Sequence, residues 1–164
     1  MKKPKIFDVF LFFNELDLLE LRLETLYEVV DYFVITELFE TFSGQSKSSL
    51  FEKEKKRYEK YSDKIIYNFV SRDKLEDLKK DKFLDYLSDL NGIVSYQNSG
   101  KSYKYLHKTL KREVQHRDAA ISGFIDIAEP NDFILLSDLD EIPNPLAIQQ
   151  AILREEEEIS YFKM

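Results

Sequence analysis

Between Asn131 and Pro145 the chain reads N-D-F-I-L-L-S-D-L-D-E-I-P-N-P, and the reading of this stretch decides the fold. The turn signal Glu129-Pro130-Asn131-Asp132 passes into the apolar run Phe133 to Leu136. A short apolar run bounded by turn residues reads as a strand buried on both faces, as in a parallel sheet. Asp138, Asp140 and Glu141 then arrive where that strand should end. In open α/β sheets, ligands bind in the crevice beyond the carboxyl ends of the strands. Residues two apart on extended backbone point to one side, so Asp138 and Asp140 should face the same space. Paired carboxylates repel unless a cation lies between them, and hard oxygen ligands suit Mg²⁺ or Mn²⁺. Such an ion keeps positions open for phosphates, so a nucleoside diphosphate is the expected guest. Pro143 and Pro145 stop the strand, and Asn144 is placed to cap a helix that starts at Pro145.

The rest of the chain supports one α/β domain over residues 1–164. Its 43% hydrophobic and 34% charged residues describe a soluble, folded chain rather than a disordered one. A net charge of −7 disfavours nucleic acid and anionic membrane as partners. The absence of cysteine excludes disulfides and thiolate metal sites. The early run Ile6–Phe13, interrupted by Asp8, is too short for a membrane span, so a cytoplasmic setting is expected.

Ile6 to Phe13 reads as the first strand, with Asn14 capping a helix whose stripe is Leu16, Leu19, Leu23, Leu26 and Val30. Arg22 reads as part of that helix's solvent face. Tyr32 to Thr36, ending at Glu37, completes a βαβ unit. A polar loop follows, and Ser49 with Glu52 has capping-box spacing ahead of a charged helix to about Tyr61. Ile65 to Phe69 gives a third strand. Residues 72–111 read as an insertion or lid, and Arg112 to Ile127 as a helix. Ile159 to Phe162 begins a further strand where the chain stops, so truncation at the C-terminus is expected.

Other motifs are weaker. Gly100-Lys101-Ser102 lacks the earlier glycine and the strand of a P-loop. His107 and His116 lack zinc-ligand spacing and read as surface or packed residues. The Asp-x-Asp of haloacid-dehalogenase phosphatases follows their first strand, not a late one. Two readings stand for Glu37: an acceptor for a uracil or ribose, or a solvated loop carboxylate. Arg117 likewise reads as a diphosphate contact or as half of a surface ion pair.

These segments together resemble glycosyltransferase family 17, the family of the β-1,4-mannosyl-glycoprotein N-acetylglucosaminyltransferases. The resemblance is carried by Glu15-Leu16-Asp17-Leu18-Leu19-Glu20-Leu21-Arg22, Val29-Val30-Asp31-Tyr32-Phe33-Val34-Ile35, Thr41-Phe42-Ser43-Gly44 and Asp132 to Pro143. Gln115-His116-Arg117-Asp118-Ala119 is similar to the helix ahead of the acidic motif, with Asp118 departing from the Arg-Asn pair common there. The resemblance implies a GT-A-like, Rossmann-type fold with a mostly parallel sheet. It implies a UDP-sugar donor, a glycan acceptor and inverting transfer, with N-acetylglucosamine the expected sugar. The metal, Mn²⁺ or Mg²⁺, falls to Asp138 and Asp140, and the nucleotide to Asn14, Glu37, Arg117 and Asp138. The general base is expected beyond Met164. The rival readings are a sugar-phosphate nucleotidyltransferase and a non-catalytic scaffold that self-associates as a homo-oligomer. The first needs a glycine-rich loop where Asn14-Glu15 stands.

Overall fold

The computed structural model describes residues 3–80 and 112–153. Their core is a parallel sheet of β1 (Ile6–Leu11), β2 (Tyr32–Leu38), β3 (Ile65–Val70) and β4 (Phe133–Leu136) in the order β3-β2-β1-β4. β1 lies inside the sheet because its side chains, Asp8 apart, are apolar on both faces. Ile6 and Phe10 pack with α1 (Leu16–Leu26), while Phe7 and Val9 pack with Ala120 on the other side. α1 follows from the leucine stripe: Leu19, Leu23 and Leu26 are fully buried, and Val30 is buried just past the helix end. The same layer holds α2 (Phe51–Glu54), the 3₁₀ turns Lys55–Tyr61 and α4 (Pro145–Ile152). The opposite layer holds α3 (Arg72–Lys80), helical residues 112–119 and the 3₁₀ turn Ala120–Gly123. This is the expected Rossmann-type α/β arrangement.

Gly123 lets the 3₁₀ turn lie directly on the sheet. A Cβ there would sit 2.5 Å from Val34 Cγ1 and 3.0 Å from Asn68 Cβ. That docking also breaks the helix expected over Arg112 to Ile127, leaving helical geometry only through residue 119 before the turn.

Other boundaries differ for physical reasons. β1 ends at Leu11 rather than Phe13. Asn14 is not the side-chain cap of α1. Instead the Glu15 carboxylate accepts from the backbone amides of Phe13 and Asn14 at 3.2 and 3.0 Å, and the Asn14 carbonyl accepts from Leu16 N at 3.0 Å. β4 is not buried on both faces. It is one of the two edge strands among the described residues, opposite β3: Phe133 and Leu135 pack on the core, while Ile134 and Leu136 are 38% and 65% exposed. The insertion expected at 72–111 yields α3 at its start, and the remainder lies outside the described residues, as does the strand expected at Ile159–Phe162. No helix among the described residues is long and apolar enough to cross a membrane.

Candidate active site

The strand order reverses beside β1, whose neighbours are β2 on one side and β4 on the other. At the carboxyl ends of these three strands lies a crevice of about 580 Å³. Its walls are Phe12, Phe13 and Glu15 after β1, Glu40 to Ser43 after β2, Glu113, His116 and Arg117 from the helical segment, and Asp138 to Asp140 after β4. An open α/β sheet places its ligand in such a crevice.

The acidic loop is shaped from below by a residue that sequence reasoning put on the surface. Arg22 is fully buried. Its Nε and Nη2 donate to the two Asp8 carboxylate oxygens at 2.9 and 2.7 Å. Nη1 donates to the carbonyls of Asp138, Leu139 and Glu141 at 2.7, 3.1 and 3.2 Å, and Nη2 also reaches Ser137 Oγ at 2.7 Å. The guanidinium fork can satisfy a carboxylate and a curled backbone at once, which an ammonium cannot do. Burial pushes the Asp8 carboxyl up from its ordinary value, and the hydrogen bonds and charge of Arg22 oppose that push. Each half of this pair has a local sign in the sequence, though their pairing does not. Asp8 shares the α1-facing side of β1 with Ile6 and Phe10, and Arg22 lies in register with the leucine stripe.

With its carbonyls turned inward, the loop forms a turn rather than continuing the strand. Glu141 N donates to the Asp138 carbonyl at 3.0 Å, and Glu141 Oε2 accepts from Asp138 N at 3.1 Å. Leu139 is buried in the core, and Asp138 and Asp140 on either side of it both line the crevice. The turn, not extended backbone, therefore brings the two carboxylates to the same space. Asn144 Oδ1 accepts from Leu146 N at 2.8 Å with Pro145 opening α4, so the loop ends at the expected cap.

Arg117 stands on the opposite wall, where its Nη2 donates to Asp138 Oδ2 at 3.0 Å and to Glu113 Oε1 at 3.2 Å. His116 beside it is buried, with its ring 5.1 Å from that of Phe42. Burial, then the charges of Arg112 and Lys47, push its imidazole down to about 4, so it is neutral at pH 7. Its Nε2 has no hydrogen-bond partner among the described residues, and Glu40 Oε1 is 3.8 Å away. The β2–α2 loop meets the helical segment again at Gly44. This residue has φ +84°, and a Cβ there would lie 2.7 Å from the Arg112 guanidinium.

Of the expected site residues, the crevice brings together Arg117, Asp138 and Asp140. Asn14 is exposed and lies outside the crevice lining, between Phe13 and Glu15, which belong to it. Glu37 is turned into the protein and is fully buried. Its carboxylate accepts from Leu50 N at 2.7 Å, Phe51 N at 3.0 Å and Tyr67 Oη at 2.8 Å, and pairs with Lys47 Nζ at 3.0 Å. Those donors occupy the lone pairs that a uracil or ribose would need, so Glu37 caps α2 instead. Ser49 Oγ accepts from Glu52 N at 3.0 Å, as the capping-box spacing requires, while Glu52 itself pairs with Lys55.

Asp138 and Asp140 fit a hard divalent cation that takes two protein oxygens and completes its shell with water and phosphate. No cluster of three or more His, Cys, Asp or Glu residues able to hold a metal occurs among the described residues, so a fully protein-ligated ion does not fit.

Fold and crevice together define a Rossmann-type α/β domain with a ligand site at the reversal of its strand order. The sequence profile of glycosyltransferase family 17 matches residues 1–93, more than half of the chain. The chain belongs to glycosyltransferase family 17 and is a transferase of sugar groups. The matched region contains Asp8, Arg22 and the walls after β1 and β2, and it ends before Arg117 and the acidic loop. No curated protein and no solved structure matches the chain.

Proposed function

We propose that the crevice binds a UDP-linked sugar together with Mn²⁺ or Mg²⁺ at Asp138 and Asp140, and that the transferred sugar, N-acetylglucosamine, passes with inversion to a glycan hydroxyl. The observation that carries this reading is the charge of the crevice. Among the described residues its lining has the carboxylates of Glu15, Glu40, Glu113, Asp138 and Asp140 against two cations, Lys47 and Arg117, and His116 is neutral at pH 7. A diphosphate entering this crevice meets net repulsion, which a divalent cation at the acidic loop reverses. When bound, that cation supplies charge neutralisation for the departing diphosphate. Arg22 holds the loop's backbone, which fixes where Asp138 and Asp140 stand. Arg117 offers a planar guanidinium for phosphate oxygens, and Phe12, Phe13 and Phe42 give the crevice apolar walls for a sugar or base.

Thermal melting with UDP, UDP-N-acetylglucosamine and GDP, each with and without Mn²⁺, tests the reading. Ligand at about a hundred times its Kd stabilises the native state by roughly 2.7 kcal/mol. That is a rise of roughly 5–10 °C for a domain of this size. The rise is expected only for uridine nucleotides with Mn²⁺. Asp140 is exposed, so Asp140→Ala should melt like the wild type without ligand and lose the metal-dependent rise. An undiminished rise in that variant would sink the metal assignment.

A further inference from the structure

The Arg117 guanidinium is held by one nitrogen. Nη2 is shared between Glu113 Oε1 and Asp138 Oδ2, while Nε and Nη1 carry no hydrogen bond to the described residues. The two anchors differ in kind. Glu113 lies one turn back on the same helical segment and travels with Arg117, whereas Asp138 belongs to the facing loop. The Asp138 oxygen that accepts from Arg117 is also one of those a divalent cation at the acidic loop would require. A guanidinium and a divalent ion at that oxygen repel each other, so a cation binding there weakens the Arg117 contact.

We propose that Arg117 is a positioning residue for the donor's diphosphate which stays docked on Asp138 until a cation binds there. A cation taking Asp138 displaces the guanidinium. Glu113 keeps it at the crevice wall, and its N–H groups turn to the phosphate oxygens that arrive with the metal. Until then Arg117 occupies the place of the cation and lowers the repulsion between the loop carboxylates. Metal and nucleotide therefore strengthen each other's binding, beyond the contacts the two make directly, because each completes the transfer of Arg117 from carboxylate to phosphate. This inference rests on the donor-site reading above.

The test is a titration of Mn²⁺, followed by electron paramagnetic resonance, with and without UDP, on the wild type, Arg117→Ala and Arg117→Lys. The Arg117 side chain is 46% exposed, and unchanged melting of the metal-free variants checks that the fold is kept. Arg117→Ala should bind Mn²⁺ alone roughly two- to fivefold more tightly, the range expected for removing an exposed competing ion pair. The same variant should bind UDP, at saturating Mn²⁺, roughly tenfold or more weakly. Arg117→Lys, with a charge but no fork, should keep near wild-type Mn²⁺ affinity and still lose UDP affinity. Changes of the same sign for Mn²⁺ and UDP in Arg117→Ala, or no change in either, would overturn the exchange while leaving the donor site standing. Failure of the wild type itself to bind Mn²⁺ would instead overturn the donor-site reading, and the exchange with it.

Discussion

Replacing Arg22 by Met keeps most of the side chain's volume and removes its charge and its six hydrogen bonds. The largest consequence falls on Asp8, which is completely buried and has Arg22 as its counter-ion among the described residues. Breaking a buried pair by deleting one partner typically costs about 3–5 kcal/mol. A second route to the magnitude agrees. An unpaired buried carboxyl takes a proton, and holding an Asp of ordinary pKa ~3.9 neutral at pH 7 costs at most about 4 kcal/mol. The carbonyls of Asp138, Leu139 and Glu141 also lose their donor, but they lie near the crevice and can turn to water. The expected loss is therefore about 3–5 kcal/mol, a fall in melting temperature of roughly 6–20 °C.

The proton account adds a signature that simple loss of packing would not give. In the variant the folded pKa of Asp8 lies above its unfolded value, so the native state binds more protons than the unfolded chain. The stability deficit is then greatest at neutral pH and shrinks as pH falls toward the unfolded value, by about 1.4 kcal/mol per unit. Urea unfolding of wild type and variant at pH 7 and pH 5 measures it, and the gap should narrow by up to roughly 3 kcal/mol, less to the extent that burial already raises the Asp8 pKa in the wild type. Comparing the two proteins at each pH cancels every other titrating group. A gap unchanged between the two pH values, or melting within about 1 °C of wild type at pH 7, would refute the reasoning.

The remaining predictions concern two further buried polar groups, Glu37 and His116. Glu37→Gln replaces an acceptor-only carboxylate with an amide whose nitrogen cannot accept from Leu50 or Phe51, and it unpairs Lys47. It should cost about 1–3 kcal/mol in urea unfolding and leave UDP affinity with Mn²⁺ unchanged. A loss of UDP affinity without a loss of stability would restore Glu37 as a ligand contact. His116, pushed down to about 4, should keep its imidazole resonances in the neutral position until well below pH 6. Because its folded pKa lies below the ordinary ~6.5, its contribution to stability is complete above that value and is lost as pH falls toward 4, by up to about 3 kcal/mol. A proton-resonance titration distinguishes it from His107, and a midpoint between 6 and 7 for both histidines would refute the burial argument.

What the sequence made legible was whatever repeats locally. The leucine spacing of α1, the apolar runs of β1 to β4 and the Asn144-Pro145 start of α4 each depend on neighbours a few residues away, and the structure forms all of them. Asp138 and Asp140 were legible as crevice residues because turn signals on both sides fixed where the strand had to end. What was not legible depended on partners far along the chain. Asp8 read as an interruption of an apolar run and Arg22 as solvent-facing, because the charge that neutralises each is 14 residues away on a different element. Glu37 read as available because its donors arrive from residues 47 to 67, and the burial of His116 needs Phe42 and Glu40 from another loop.

The acidic loop is held by two arginines with different tasks. Arg22 is buried and within the loop touches backbone carbonyls and the Ser137 hydroxyl, so it sets the shape of the loop without neutralising any carboxylate there. Arg117 is on the open side and takes one carboxylate, that of Asp138. Glu141 turns back to the backbone amide of Asp138 and leaves the crevice to the other two. Asp140 alone in the loop has an exposed carboxylate with no hydrogen bond or ion pair to the described residues. A loop braced through its backbone can hold such a carboxylate outward without losing its shape, since none of the bracing passes through the Asp140 side chain. The same arrangement explains why deleting Asp140 should separate ligand binding from folding, whereas deleting Arg22 should damage both.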